Sequence, residues 1–409
     1  MDRIKAESNR QSEKLVALRR ILHQNPEIGL DLPDTQRVVL DVLSQFPDLE
    51  IQIGVQCSSV TAVLRGGAGT PGGSNPVVLL RADMDGLPVE EKTSLPFASR
   101  VKGAMHACGH DLHMAMLCGA VETLYSVREE LSVDVVFMFQ PGEEGYGGAK
   151  LMLDEGVLSA AGQPVDAAFG LHVFSAGMEP GVFYSRPQTL MAAADVVRVT
   201  LRGEGGHGST PYRAKDPIPV ACEMILALQT LVTREVNIFD PVVLTVGTLH
   251  AGAAPNVIPD SVEFGISLRT YSEDTRHRML LRIRELTQGF AGAHGMHVEF
   301  DVDEGYPVTR NDPLEHEFAL SSISKIFGES RVQTMKDPMP GSEDFSFVLN
   351  EVPGAFILLG TPAKGSNAAD APLNHSPLAE FDDSLLVDGV CVLATLAAAF
   401  PSRRKAYQP

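Results

Sequence analysis

The sequence predicts an α/β protein, a mostly parallel sheet covered by helices and interrupted by a smaller α+β domain. Three observations carry this prediction. Short apolar, β-branched runs alternate with helical patterns up to about Val173, and one such run returns at Ala355–Gly360. Between roughly Met191 and Asp303, apolar and polar residues alternate instead. Residues foreign to a core cluster directly after the predicted strands, at what would be one edge of the sheet.

The N-terminal stretch Met1–Arg20 reads as a polar, amphipathic helix without the apolar centre of a signal peptide. Strands are expected at Val60–Arg65, Val77–Arg81, Val133–Gln140, Asp166–Val173 and Ala355–Gly360. A helix is expected at Asp111–Val127, with Leu112, Met116, Ala120 and Leu124 on one face. Inside the insertion, Val196–Arg202, Val242–His250 and Ser261–Arg269 read as half-buried antiparallel strands, with helices near Pro217–Glu235 and Glu273–His294. The expected domains are 1–190 with 304–409, and an inserted domain at 191–303.

Composition narrows the partners. At 409 residues and 44% hydrophobic, the chain can bury two cores. A formal net charge of −19 argues against nucleic acid and anionic membrane surfaces. No apolar run is expected to reach the roughly 20 residues that span a bilayer. The five scattered cysteines, Cys57, Cys108, Cys118, Cys222 and Cys391, suit a reducing, cytoplasmic setting better than a disulfide framework. All but Cys108 read as small buried residues.

The strand-end residues form the chemical signal. They are Asp83-Met84-Asp85, His106-Ala107-Cys108-Gly109-His110-Asp111, Gly142-Glu143-Glu144-Gly145, His172, and Asp370-Ala371-Pro372-Leu373-Asn374-His375. Thiolate, imidazole and carboxylate are ligands for zinc and similar divalent ions. Taken singly, a Cys-x-His pair is chance, paired glutamates are a solvated turn, and a histidine after a strand is a satisfied polar residue. Their joint placement is what the bland reading must explain several times over. Cys108 has no Cys-x-x-Cys partner, which disfavours a structural zinc site. Adjacent glutamates allow one to bind metal while the other serves as a base.

These segments resemble the signature of the bacterial and plant amidohydrolases, which include hippurate hydrolase, the indole-acetyl-amino-acid hydrolases and the N-acyl-amino-acid deacylases. The family lies within the aminoacylase and glutamate carboxypeptidase superfamily. Gly206-His207-Gly208-Ser209, Asp216-Pro217-Ile218, Asn256-Val257-Ile258-Pro259 and Gly341-Ser342-Glu343-Asp344-Phe345 match in the same order, so the resemblance covers nearly the whole chain. It implies a di-metal catalytic domain with an inserted lid or dimerisation domain. It implies that Cys108 bridges two ions, with Glu144 and His375 completing one site and His110 and His172 the other. Glu143 would be the general base and acid, and Asp85 would orient a ligand imidazole from behind. His207 would stabilise the oxyanion, and Asn256 and Arg269 would lie near the substrate carboxylate. In related carboxypeptidases a metal-binding histidine replaces Asp83 and an aspartate replaces Cys108. The bridging thiolate favours zinc, while manganese, cobalt and nickel suit the other donors.

The resemblance implies hydrolysis of the amide bond of N-acyl-L-amino acids to a carboxylic acid and a free amino acid, with a dipeptidase or carboxypeptidase as the alternative. A homodimer through the inserted domain is expected, with His207 completing the partner's site. Gly203-Glu204-Gly205-Gly206-His207-Gly208 formally matches a dinucleotide fingerprint. No helix opens at once after it, since Ser209-Thr210-Pro211-Tyr212 intervenes, and a nicotinamide site is disfavoured.

Overall fold

The computed structural model describes residues 2–69 and 74–406. Among these, the chain divides into two compact units, one of residues 2–69, 74–188, 310–336 and 347–406 and one of residues 189–309 and 337–346.

The larger unit is built on an eight-stranded sheet. Its strands are β1 (Glu50–Ile53), β2 (Val60–Leu64), β3 (Val77–Asp83), β4 (Asp134–Gln140), β5 (Ala167–Phe174), β6 (Phe183–Ser185), β7 (Val332–Thr334) and β8 (Gly354–Gly360). They lie in the order β1-β2-β4-β3-β5-β8-β6-β7. The central run β4-β3-β5-β8 is parallel, and β1, β2 and β6 pair antiparallel to their inner neighbours. Every residue of β3, β4 and β8 is buried, which explains why these strands read as continuous apolar runs. Because β3, β4, β5 and β8 run in parallel, their carboxyl ends share one edge.

Helix His110–Ser126 connects β3 to β4 and is buried almost throughout. The C-terminal helix Leu386–Ala406 packs within the same core through Val390, Leu393, Ala394, Leu396 and Ala397. This helix corrects one expectation. By length and composition alone it could cross a membrane, with mean hydropathy 1.8 over Asp383–Arg403, but 61% of that stretch is buried inside the unit. It is apolar because it is a core helix. Where one N-terminal helix was expected there are two, Asp2–Arg10 and Ser12–Gln24.

The smaller unit holds a four-stranded antiparallel sheet, ordered Val242–Ala251, Ser261–Thr270, Ala193–Arg202, His297–Glu304. Strand Ala193–Arg202 alternates buried and accessible residues, and helices Pro217–Glu235 and Glu273–Ala293 contribute Val220, Met224, Leu228, Met279 and Ile283 to its core. Both helices start on side-chain caps, Asp216 accepting from Ile218 N at 3.0 Å and Ser272 from Thr275 N at 3.2 Å. Residues 337–346 belong to this unit, although the sequence reading placed them in the larger one. Backbone bonds explain it: Met339 N donates to Leu190 O at 2.8 Å and Ala192 N to Met339 O at 3.1 Å. Cys222 also departs from expectation, since it is exposed.

Candidate active site

Five residues from four segments of the larger unit, Cys108 with His110, Glu144, His172 and His375, converge at the shared strand edge. Cys108 Sγ lies 3.4 Å from His172 Nε2 and 3.3 Å from His375 Nε2. Glu144 Oε1 lies 3.2 Å from His375 Nε2 and 3.9 Å from His110 Nε2. Cys108, His110 and Glu144 each place a donor atom within 4.8 Å of the others. Glu143, although buried, does not join that group. The two adjacent glutamates therefore occupy different positions, as a division between ligand and base requires.

The strand ends explain the convergence. Helix His110–Ser126 begins directly after Gly109, whose φ of +91° is open to glycine. A Cβ there would approach Val173 Cγ2 to 2.4 Å, so only glycine lets Cys108 and His110 sit against the end of β5. His375 is a non-glycine residue at φ +70°, a conformation costing about 1–3 kcal/mol, and such strain concentrates at functional sites.

Backbone carbonyls set the imidazole tautomers. His110 Nδ1 donates to Asp85 O at 2.8 Å, and His172 Nδ1 donates to Val173 O at 2.8 Å. A carbonyl only accepts, so each Nδ1 carries the proton and each Nε2 turns a lone pair to the cluster. His110 Nε2 is buried and meets no hydrogen-bond partner among the described residues. Asp85 thus reaches His110 more closely through its backbone carbonyl than through its carboxylate, at 3.4 Å. The carboxylate instead accepts from Glu143 N and Glu144 N, each at 3.0 Å, and shapes the glutamate loop.

His113 escapes the sequence reading, which notes Asp83 among the strand-end residues but gives it no role. His113 stacks on His110, with ring centroids 5.4 Å apart, and lies edge-on to His172 at 4.6 Å. Its Nε2 accepts from Val173 N at 2.9 Å, so its Nδ1 carries the proton given to Asp83 Oδ1 at 2.5 Å. Both ring nitrogens are committed, which makes His113 a brace and not a ligand. Asp83 in turn accepts from Arg81 Nη1 at 2.6 Å. The i, i+3 spacing of His110 and His113 on one helix was the available signal.

The electrostatics call for a cation. Burial pushes the Cys108 thiol up, and the Glu144 charge adds to it. Hydrogen bonds to Cys108 and Glu144 raise His375 to about 10. Burial and the nearby His113 hold His172 well below the ordinary imidazole range. Burial also opposes charge on His110, yet Asp83 and Cys108 carry it well above that range. Cys108, His110 and His172 are buried while His375 is exposed, and a divalent ion would satisfy thiol, carboxylate and imidazoles at once. The clustered donor set therefore suits a divalent metal ion.

The remaining candidates lie in the smaller unit. Gly206–His207 pairs antiparallel with Val257–Ile258, and Gly208 N donates to Asn256 O at 2.9 Å, so His207 and Asn256 are brought together on an exposed turn. His207 Nδ1 accepts from Ser209 N at 3.1 Å, which leaves the proton on Nε2. Among the described residues, Arg269 is half-buried and donates to Ser342 Oγ at 3.2 Å.

The family model for peptidase family M20/M25/M40 matches residues 79–399. The chain belongs to this family. It is 33% identical to thermostable carboxypeptidase 2 of Saccharolobus solfataricus over 98% of this chain and 99% of that one. It is 34% identical to the hippurate hydrolase of Campylobacter jejuni, over 94% and 95% respectively. Among solved M20 structures, a Bacillus subtilis protein described as a dinuclear metal-binding peptidase superposes with a TM-score of 0.79 at 30% identity, covering 96% of this chain and 99% of that one.

Proposed function

We propose that this M20 protein hydrolyses the amide bond of N-acyl-L-amino acids, releasing a carboxylic acid and a free amino acid. The observation that carries the reading is the convergence of Cys108, His110, Glu144, His172 and His375, with a buried Glu143 beside them. In this reading two divalent ions would be held by Cys108 shared between them, with Glu144 and His375 as the other ligands of one and His110 and His172 of the other. The thiolate favours zinc, and manganese, cobalt and nickel suit the remaining donors. Bound ions would supply Lewis acidity and a water that deprotonates near neutral pH.

Glu143 takes the proton of the attacking water and delivers it to the leaving amine. His207 Nε2–H donates to the tetrahedral oxyanion. Arg269 grips the substrate carboxylate with its guanidinium fork, and Asn256 lies near that group. The smaller unit acts as lid and dimerisation domain, with His207 supplied to the partner's site. Support for dimerisation comes from the edge strand Val242–Ala251, which has one neighbour in its sheet and exposes Val243 and Leu249. Five free cysteines support a reducing, cytoplasmic setting, and the net charge of −19 supports small-molecule partners over nucleic acid.

Likeness to a carboxypeptidase favours a second reading, cleavage of peptides. One assay separates the two. The chelated protein is reloaded with each divalent metal and offered N-acyl amino acids, their esters and amides, and dipeptides. Turnover should be fastest on N-acyl amino acids with a free carboxylate. Preferential cleavage of dipeptides would favour the second reading. Equal turnover of acid and amide would remove Arg269 from the site.

A further inference from the structure

Asn374 bonds the segment that carries Cys108 and the strand end that carries His172, and it directly precedes His375. Its Nδ2 donates to Cys108 O at 3.1 Å and to Val173 O at 3.0 Å, and lies 3.9 Å from Cys108 Sγ. The Val173 carbonyl is the one that also fixes the His172 tautomer. Its Oδ1 accepts from Ser175 N and lies 2.9 Å from both that nitrogen and Ser175 Oγ. Ser175 Oγ also lies 2.8 Å from Pro372 O, which ties the loop back to the strand end. The next residue is His375, held in its left-handed conformation with its N–H donating to Ala107 O at 2.9 Å. Strained backbone persists only where its surroundings over-determine it, and the Asn374 amide with this bond provides that determination.

We infer that Asn374 is a positioning residue that fixes Cys108, His172 and His375 relative to one another, and so sets the geometry in which the thiolate meets metal. This inference rests on the reading of those three residues as ligands. Its specific claim is that the two Nδ2 protons matter. Both point at carbonyls on ligand-bearing segments, whereas Oδ1 only anchors the amide to Ser175.

Asn374→Asp tests the claim, because it keeps shape and the Ser175 bond while turning an anionic oxygen toward two carbonyls. Wild type, Asn374→Asp and Cys108→Ala are loaded with cobalt, and three quantities are read: chelator-competition affinity, sulfur-to-cobalt absorption, and circular dichroism as a check of folding. Affinity should fall about 10–100-fold in folded Asn374→Asp, the usual effect of disturbing a partner behind a ligand, with a weakened or shifted absorption band. Should Asn374→Asp not fold, Asn374→Ala takes its place; it removes both Nδ2 bonds without adding a charge and should cost about 10-fold, at the lower end of that range. Wild-type affinity and an unchanged band in a folded Asn374→Asp, or in Asn374→Ala where that replaces it, would overturn the inference. A wild-type spectrum without the band, equal to that of Cys108→Ala, would instead sink the ligand reading and this inference with it.

Discussion

The two histidine-bearing regions of this molecule are held in opposite ways. In the larger unit His110 and His172 are buried, and each has its Nδ1 fixed by a backbone carbonyl. In the smaller unit His207 is exposed and is steadied by Ser209 on its own turn. Ligands for an ion must present lone pairs before the ion arrives, so their tautomers are set by the scaffold. A donor to a transient oxyanion needs only a proton on the outward nitrogen, which a surface turn can offer. In the proposed mechanism, the difference assigns metal binding to the larger unit and oxyanion stabilisation to the smaller one.

Substitutions can break this contrast. The largest effect should come from Glu143→Gln, which removes the base and spares the ligands. Turnover should fall by about 10²–10⁴-fold with both metals retained. Loss of an ion from this variant would mean that base and ligand have been exchanged with Glu144. His207→Ala should lower kcat by about 10²–10³-fold, the cost of an oxyanion donor, without changing metal content or unfolding midpoint. Mixing it with Glu143→Gln under subunit exchange should restore activity if His207 serves the partner. Demonstrated exchange with no recovery would place His207 in its own chain.

A smaller effect sharpens the contrast within the larger unit itself. Glu315 is a buried carboxylate outside the cluster, paired with Arg403 at 2.6 Å, and burial raises it to about 7. Its ordinary value is 4.5, so over this window the folded chain keeps a proton that the unfolded chain has lost. The stability it permits is fully present below pH 4.5 and declines as pH rises through about 7. Glu315→Gln should remove that decline, with a gain of up to about 2 kcal/mol at pH 8. Denaturant unfolding of both proteins at pH 5 and pH 8 checks this, and parallel pH dependence would contradict it.

Much of the site was legible in the sequence because buried parallel strands leave a plain trace. β3, β4 and β8 are buried throughout and largely apolar, and the residues at and just beyond their ends are conspicuous by chemistry. Helix Pro217–Glu235 was readable to the residue because Asp216 and Pro217 mark its start. What stayed hidden depends on contacts between distant segments. Nothing in Asp85 says that its carbonyl, more than its carboxylate, would face His110. His113 and Asn374 act by bonding Val173 from opposite directions, and neither bond leaves a local pattern. Residues 337–346 join the smaller unit through backbone bonds that carry no side-chain signature.

The account turns on one thiol, and metal content tests it most directly. Wild type and Cys108→Ala, purified alike and dialysed against a weak chelator, are analysed by mass spectrometry for ions per chain. Two ions are expected in the wild type, and one weakly held ion or none in Cys108→Ala. Two tightly held ions in Cys108→Ala would contradict a bridging Cys108 and the di-metal centre assembled around it.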